Sequence, residues 1–282
     1  MNKFCDFRLS GFAIILLCAV GCKSKQELFN GKDLTGWDTY LGPAYDTTLK
    51  KFDSLVVPGL NNDPLKIFSV VKEDGEPAIR ISGQHFGGIS TTQEFSNYHL
   101  TLQFKWGGLK WPPKKKSKRD SGLLYHAVGG HGADFGFWMR SQEFQIQEGD
   151  CGDYWGVAGG VFDVPSIKND RGDYVYDPNG TLTTFSEAST AGRHCIKNPD
   201  AEKPSGEWNT LELYCLGDTS VHVVNGIVTM ILLNSKQTVQ GVTTELKRGK
   251  IQIQSEGAEV FYREILIEPI TSLPKSDMAN NR

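Results

Sequence analysis

The chain has 282 residues, 39% of them hydrophobic and 11% aromatic, with 30 Lys and Arg against 33 Asp and Glu for a formal net charge of −3. That composition supplies enough apolar surface for one large folded domain. It carries no basic excess, which excludes nucleic acid as a partner class.

The first 22 residues, MNKFCDFRLSGFAIILLCAVGC, combine a basic start, an apolar run from Phe12 to Val20 and small residues before Cys22. This is the layout of a secretory signal peptide, and the run is too short to span a bilayer as a mature helix. Ala19-Val20-Gly21-Cys22 resembles a bacterial lipobox, so residues 1–21 are expected to be removed and Cys22 to carry lipid. Residues 22–27 then form a tether, 28–270 a single domain and 271–282 a tail. The implied location is the bacterial cell envelope, anchored in the outer membrane and facing either the periplasm or the outside. Cleavage removes Cys5 and Cys18, leaving Cys151, Cys195 and Cys215 in the domain. Export permits a disulfide, with Cys151 and Cys195 the expected pair because both sit in loop-like sequence; the alternative is free buried thiols.

Beyond the tether, short alternating segments follow one another. In YHLTLQFKW (98–106), Leu100, Leu102 and Phe104 share one face and His99, Thr101, Gln103 and Lys105 the other. The same period of two recurs at 207–215, 220–226, 249–255 and 260–268, and no stretch holds a helical period over ten residues. Thirty-one glycines and twelve prolines separate these runs. The pattern predicts an all-β fold, a jelly-roll β-sandwich, with Asn225-Gly226 as a two-residue hairpin turn. Two segments read as long irregular loops, WPPKKKSKRDSG (111–122) and 165–206. The basic run Lys114, Lys115, Lys116, Lys118 and Arg119 is expected to be solvated.

The segment EFQIQEGDCGDYWG (143–156) begins with Phe144 and Ile146 on one face and Glu143, Gln145 and Gln147 on the other. A second polar row, Gln252, Gln254 and Glu256, backs onto Ile251 and Ile253. Amides and carboxylates in line pair well with hydroxyls, and aromatics such as Trp138, Tyr154 and Trp155 cover the apolar faces of pyranoses. Two such rows on one sheet would pave a carbohydrate cleft. No dinucleotide fingerprint occurs, so no nicotinamide or other cofactor is expected.

The motifs LFNGKDLTGW (28–37), SGLLYH (121–126), EFQI (143–146), GEWN (206–209), VNG (224–226), IQIQ (251–254) and FYREI (261–265) stand in the order seen in the 3-keto-disaccharide hydrolase domain family, which the chain resembles over nearly its whole mature length. The resemblance implies a concanavalin A-like jelly roll acting on glycosides already oxidised to a ketone at sugar carbon 3 by a separate oxidoreductase. One departure is His126, which stands where many relatives have arginine. The implied chemistry needs a base for the carbon-2 proton, donors for an enolate oxygen and an acid for the leaving oxygen. Glu143 is the expected base, with either His126 or Asp150 as its acid partner. Tyr125, Gln145, Trp155, Gln252, Gln254 and Arg263 are the expected substrate ligands.

Three other readings are open to the same residues. Asp150 and Asp153 flank glycines and carry hard oxygens suited to a turn or to calcium. Glu143 and Glu148 approach the spacing of a retaining β-glucanase pair, which would need a bulge to bring both onto one face. The cleft would also serve a sugar-binding lipoprotein without catalysis.

Overall fold

The computed structural model describes residues 25–274. The expected signal peptide and the lipid site at Cys22 lie outside the described residues. Within them the chain is all-β: a twelve-stranded and an eight-stranded antiparallel sheet, with a small hairpin of Ala44–Asp46 and Lys51–Asp53.

The two large sheets pack face to face because each alternating strand turns its apolar residues inward. Leu100, Leu102 and Phe104 from the twelve-stranded sheet share one core with Leu123, Phe144, Ile146, Ile251 and Ile253 from the other. Burying a side chain such as Phe144 contributes about 2 kcal/mol each, an upper figure for a real unfolded chain. Polar bolts cross this core. Ser121 Oγ donates to the Gln254 carbonyl at 2.8 Å and meets the Tyr262 hydroxyl at 2.7 Å. His222 Nδ1 faces the Gly152 carbonyl at 3.2 Å and accordingly donates to it, which leaves Nε2 to accept from the Tyr125 hydroxyl at 3.1 Å.

The alternating segments expected from the sequence form the strands Tyr98–Lys110, Asn209–Leu216, Thr219–Val224, Lys250–Ser255 and Ala258–Pro269. Asn225 and Gly226 make the expected tight turn with φ of 50° and 79°. The domain begins two residues before Leu28, because Gln26–Glu27 of the expected tether pairs with Leu266 and Ile267. The segment 165–206 is less irregular than its composition suggests. It contributes to Gly160–Lys168 and contains Tyr174–Tyr176, Thr181–Phe185 and His194–Cys195.

Cys151, Cys195 and Cys215 are free and buried, so the expected Cys151–Cys195 disulfide is not formed. Burial pushes the Cys215 thiol up to about 12 and those of Cys151 and Cys195 well above their ordinary value. All three are inert core thiols rather than nucleophiles.

Candidate active site

The eight-stranded sheet places its central strands in the order Tyr154–Val157, Arg140–Gln147, Asp120–Val128, Lys250–Ser255 and Gly87–Thr91. Both polar rows therefore lie on one sheet, separated only by Asp120–Val128. Register pairs Gly122 with Gln145, Leu124 with Glu143, and Leu124 again with Gln252. Outward-facing side chains on these strands thus meet around Gly122, which has none. Apolar contacts among Phe86, Leu124, Phe137, Trp138 and Val157 form a second small cluster on the outer face, with Phe52 of the hairpin packed onto it.

Beside that cluster lies a hollow of about 210 Å³. Its floor is Glu143, Gln145, Gln147, Gln254 and Glu256; its walls are Lys114, Asp120, Asp134, Trp138, Trp155, Val157 and Arg193. A larger depression of about 660 Å³ lies elsewhere, lined by Lys25, Phe95, Arg248 and Glu268 among others, and among the described residues it gathers no comparable set of buried carboxyls.

Charge in the hollow is unbalanced. Lys114 forms ion pairs with both Asp120 and Glu256, while Gln147 donates to Asp120 at 2.6 Å. Arg193 pairs with Asp134 at 3.2 Å. Glu143 is buried and, among the described residues, has neither a hydrogen bond nor an ion pair of its own. Burial first, and then the charges of Glu256, Asp120 and Asp134, push its carboxyl well above the ordinary range, with Arg193 pulling weakly the other way. Glu256 is likewise raised, to about 8, mainly by burial and then by Asp120, with Lys114 opposing. Two such carboxyls lose their protons above the ordinary carboxylate range, and between the two losses one is ionised while the other is still protonated. A site in that state offers a base and an acid together.

In the hollow the buried acceptor oxygens Asp120 Oδ1, Gln145 Oε1 and Gln254 Oε1, three in all, have no partner among the described residues. Unpaired buried acceptors are costly, and three of them on residues lining one hollow fit a ligand rich in O–H donors. Support for the walls is indirect but firm. Met139 N donates to Gln252 Oε1 at 2.9 Å, and the Trp138 indole donates to the Gly87 carbonyl at 3.0 Å. Asp153 holds His194 at 2.8 Å, and His194 stacks on Trp155 with ring centroids 4.3 Å apart.

Glu143, Gln145, Gln254 and Trp155 thus come together as the sequence suggested, while the other expected ligands go elsewhere. Gln252 is fully buried and braces Met139 rather than lining the hollow. Tyr125 faces the core, bonded to His222. His126 sits at a β-bulge, where the register shifts between Tyr125 and Val128 and its own φ is 51°. The bulge swings its ring into the core against Tyr98 and Tyr125, and burial lowers its pKa to about 4 despite a weak opposing pull from the Leu246 carbonyl. A neutral imidazole sealed there is no acid for a sugar. Asp150 is in the turn after the Arg140–Gln147 strand, paired with Lys118 at 2.6 Å. Arg263 is on the other sheet, donating to Gln103 at 2.8 Å with its guanidinium 3.9 Å from the Trp208 ring centroid.

Two alternative readings meet obstacles of geometry. Glu148 is not brought beside Glu143; it pairs with Arg119 at 2.9 Å beyond the strand end, so the two carboxylates of a retaining pair do not assemble. Asp150 and Asp153 spend their oxygens on different partners, Lys118 for one, His194 and the Lys197 amide for the other. Asp120, Asp134 and Arg193 escaped the sequence reading. Asp120 alone left a trace, one step before the SGLLYH strand motif.

Gly122 is the keystone of this geometry. A Cβ there would collide with Glu143 Oε1 and Gln254 Oε1, and would lie 2.8 Å from Gln254 Cδ. Because only side-chain ends need to move, Gly122→Ala is expected to fold with a stability loss of about 1 kcal/mol. Displacing both groups should still lower kcat/KM by about 10–100-fold. Thermal melting alongside steady-state kinetics checks this; an unchanged kcat/KM would mean the hollow is not where catalysis occurs.

A family model described as a 3-keto-alpha-glucoside-1,2-lyase-like domain matches residues 24–268. Among solved structures, a Parabacteroides distasonis protein that carries the provisional name glycosyl hydrolase is 19% identical with a TM-score of 0.46, over 88% of this chain and 94% of that one. The carbohydrate-binding module CBM66 of Bacillus subtilis is 8% identical with a TM-score of 0.44, over 83% and 96%. The alginate lyase A1-II′ is 11% identical with a TM-score of 0.41, over 84% and 96%. No curated protein matches the chain.

Proposed function

The chain belongs to the 3-keto-alpha-glucoside-1,2-lyase-like family, and on that premise we propose that it cleaves 3-keto-glycosides by elimination and hydration. Glu143 takes the proton from carbon 2, whose acidity comes from the neighbouring ketone. The electron pair becomes an enolate with its charge on the carbon-3 oxygen. When the enolate collapses, the carbon-1 to oxygen bond breaks and the Glu256 carboxyl protonates the leaving oxygen. Water then adds to carbon 1 of the resulting 1,2-unsaturated ketone and a proton returns to carbon 2. The sum is 3-keto-glycoside plus water giving 3-keto-sugar plus alcohol, with no change of oxidation state.

The observation that carries this reading is a buried Glu143 with no cation, sharing a sugar-sized hollow with a second raised carboxyl and three unpaired acceptors. A carboxylate with a raised pKa is a stronger base once ionised, which narrows the gap to a weak carbon acid. Arg193 supplies donors for the enolate oxygen, since its hydrogen bonds to Asp134, Gly156 and Glu187 all run through Nη1 and none to a described residue runs through Nη2. Asp120, Gln145 and Gln254 accept from the sugar hydroxyls. The ketone is made by a separate oxidoreductase, and the enzyme works in the cell envelope on a lipid anchor at Cys22.

Offering one disaccharide in native and in 3-keto form tests this. Turnover of only the ketone is the expected result, with a 1,2-unsaturated ketone trapped in single-turnover absorbance. Turnover of the native sugar would overturn the mechanism, and binding without turnover would leave a sugar-binding protein.

A further inference from the structure

The hollow holds about one pyranose, and the Glu143 that must reach carbon 2 is inside it. With the oxidised ring in the hollow no room is left for a second ring, so a ringed group on carbon 1 must extend beyond it. The loop Gly129–Met139 forms one side of the hollow. It supplies Asp134 and Trp138 to the wall, and between them Phe135, which is 75% exposed and held with a left-handed φ of 48°. Nothing in the core explains Phe135: its neighbour Phe137 packs against Phe52 and Phe86 while Phe135 turns outward. An exposed phenyl ring on a backbone conformation that β-carbon residues avoid is one that its surroundings hold in place.

Phe135 is not an isolated surface ring. The Arg193 guanidinium lies 5.7 Å from the Phe135 ring centroid and 5.6 Å from that of Trp155, and Asp134 fixes the same guanidinium from below. Trp155 is backed by His194, which Asp153 holds. The guanidinium therefore bridges an aromatic of the hollow wall and an aromatic outside it. The result is a chain of contacts running from Trp155 in the hollow wall to the exposed Phe135 ring.

The geometry points to Phe135, positioned by Arg193, as the platform that receives the leaving group of the substrate, through the apolar face of a ring. This rests on the proposed cleavage of 3-keto-glycosides and adds to it a determinant of leaving-group specificity. A pyranose and an aryl aglycone both present such a face, whereas a methyl aglycone presents none. Phe135 touches no reacting atom, so it acts on binding of the outer ring and not on proton transfer.

The test compares wild type with Phe135→Ala and Phe135→Trp on three probes: 3-keto-trehalose, 4-nitrophenyl 3-keto-α-glucoside and methyl 3-keto-α-glucoside. Phe135→Ala is expected to raise KM about tenfold for the ringed leaving groups, leave the methyl glycoside unchanged, and be rescued by Phe135→Trp. Loss on the aryl glycoside alone would identify an aryl aglycone as the ligand, and loss on 3-keto-trehalose alone a second sugar. Equal loss on all three probes, or no loss on any, overturns the platform while leaving the chemistry standing. Should wild type turn over none of the three, the chemistry has failed and calorimetry reads the platform alone. Phe135→Ala must then weaken trehalose and not glucose, and any other pattern, including no binding by wild type, overturns it.

Discussion

Glu143→Gln is expected to lower kcat/KM on a 3-keto-glycoside by about 10²–10⁴-fold while leaving the melting temperature at neutral pH nearly unchanged. Both halves follow from the same fact. Glu143 is buried among Glu256, Asp120 and Asp134 with no ion pair, and its carboxyl is held in the protonated form well past the ordinary carboxylate range. An amide of the same shape fills the same space without placing a charge among those acids, and no cation is left without its partner, so stability is preserved. What the amide cannot do is accept the proton from carbon 2. Near-normal activity in a folded Glu143→Gln would remove Glu143 from the reaction.

The pH profile of the wild type extends the same result. The productive state carries one proton on the Glu143 and Glu256 pair. At low pH both carboxyls are protonated and no base is present; at high pH both are ionised and no acid remains. kcat/KM should rise and fall as a bell, with its acidic limb far above the ordinary carboxylate value of 4.5, since Glu256 is raised to about 8 and Glu143 is raised too. Glu143→Gln should abolish the bell together with the rate. An acidic limb near pH 4 would show that neither carboxyl is the proton acceptor.

Lys114→Met is the second large effect, and it is expected mainly in stability. Burial alone would favour a neutral Lys114, but Glu256 and Asp120 outweigh that and keep it charged. The side chains of Asp120 and Glu256 are 4% and 13% exposed, so removing their common cation leaves two acids facing each other in a dry site. Breaking one partner of such a cluster costs about 3–5 kcal/mol where the remaining charges cannot be relieved. Here they are relieved by proton uptake, which gives the effect a sign in pH. Glu256 and Asp120 have folded pKa values above their unfolded ones, so the folded state holds protons that the unfolded chain has released. Stability from this source is therefore lost as pH rises from about 4.5 to 8, and Lys114→Met steepens that loss by removing the attraction that holds the two carboxyls down. Chemical denaturation at pH 5 and pH 8.5 measures it: a small deficit at the lower pH and about 3 kcal/mol at the higher. An equal deficit at both values would mean that Lys114 contributes packing rather than charge.

Lys114 also illustrates what one-dimensional reading misses. In WPPKKKSKRDSG it is one of five cations in a loop, indistinguishable from Lys115 and Lys116, which are partly or fully solvated. Only the return of the chain at Asp120 and at Glu256, 142 positions away, makes it a wall of the site. Arg193 and Asp134 are of the same kind, carried in by loops whose local pattern says nothing of their destination. Arg263 shows the converse. Its alternation correctly identifies a strand, but a sandwich has two sheets, and periodicity cannot say to which of them a polar face belongs.

Sequence alone determined the all-β class, the strands around residues 98–106, 207–215, 220–226, 249–255 and 260–268, and the two polar rows through Glu143 and Gln254. Side-chain alternation along a strand is a local consequence of backbone geometry, so it survives in one dimension. Tertiary structure decided the rest: that both rows share a sheet with Gly122 between them, that a bulge turns His126 into the core, that Cys151 and Cys195 stay unpaired, and that Glu143 has no cation. Each of these depends on which strand lies beside which, and on how much water is excluded there. A carboxyl's proton affinity is set by that surrounding dielectric and by charges brought from distant positions, neither of which the order of residues contains.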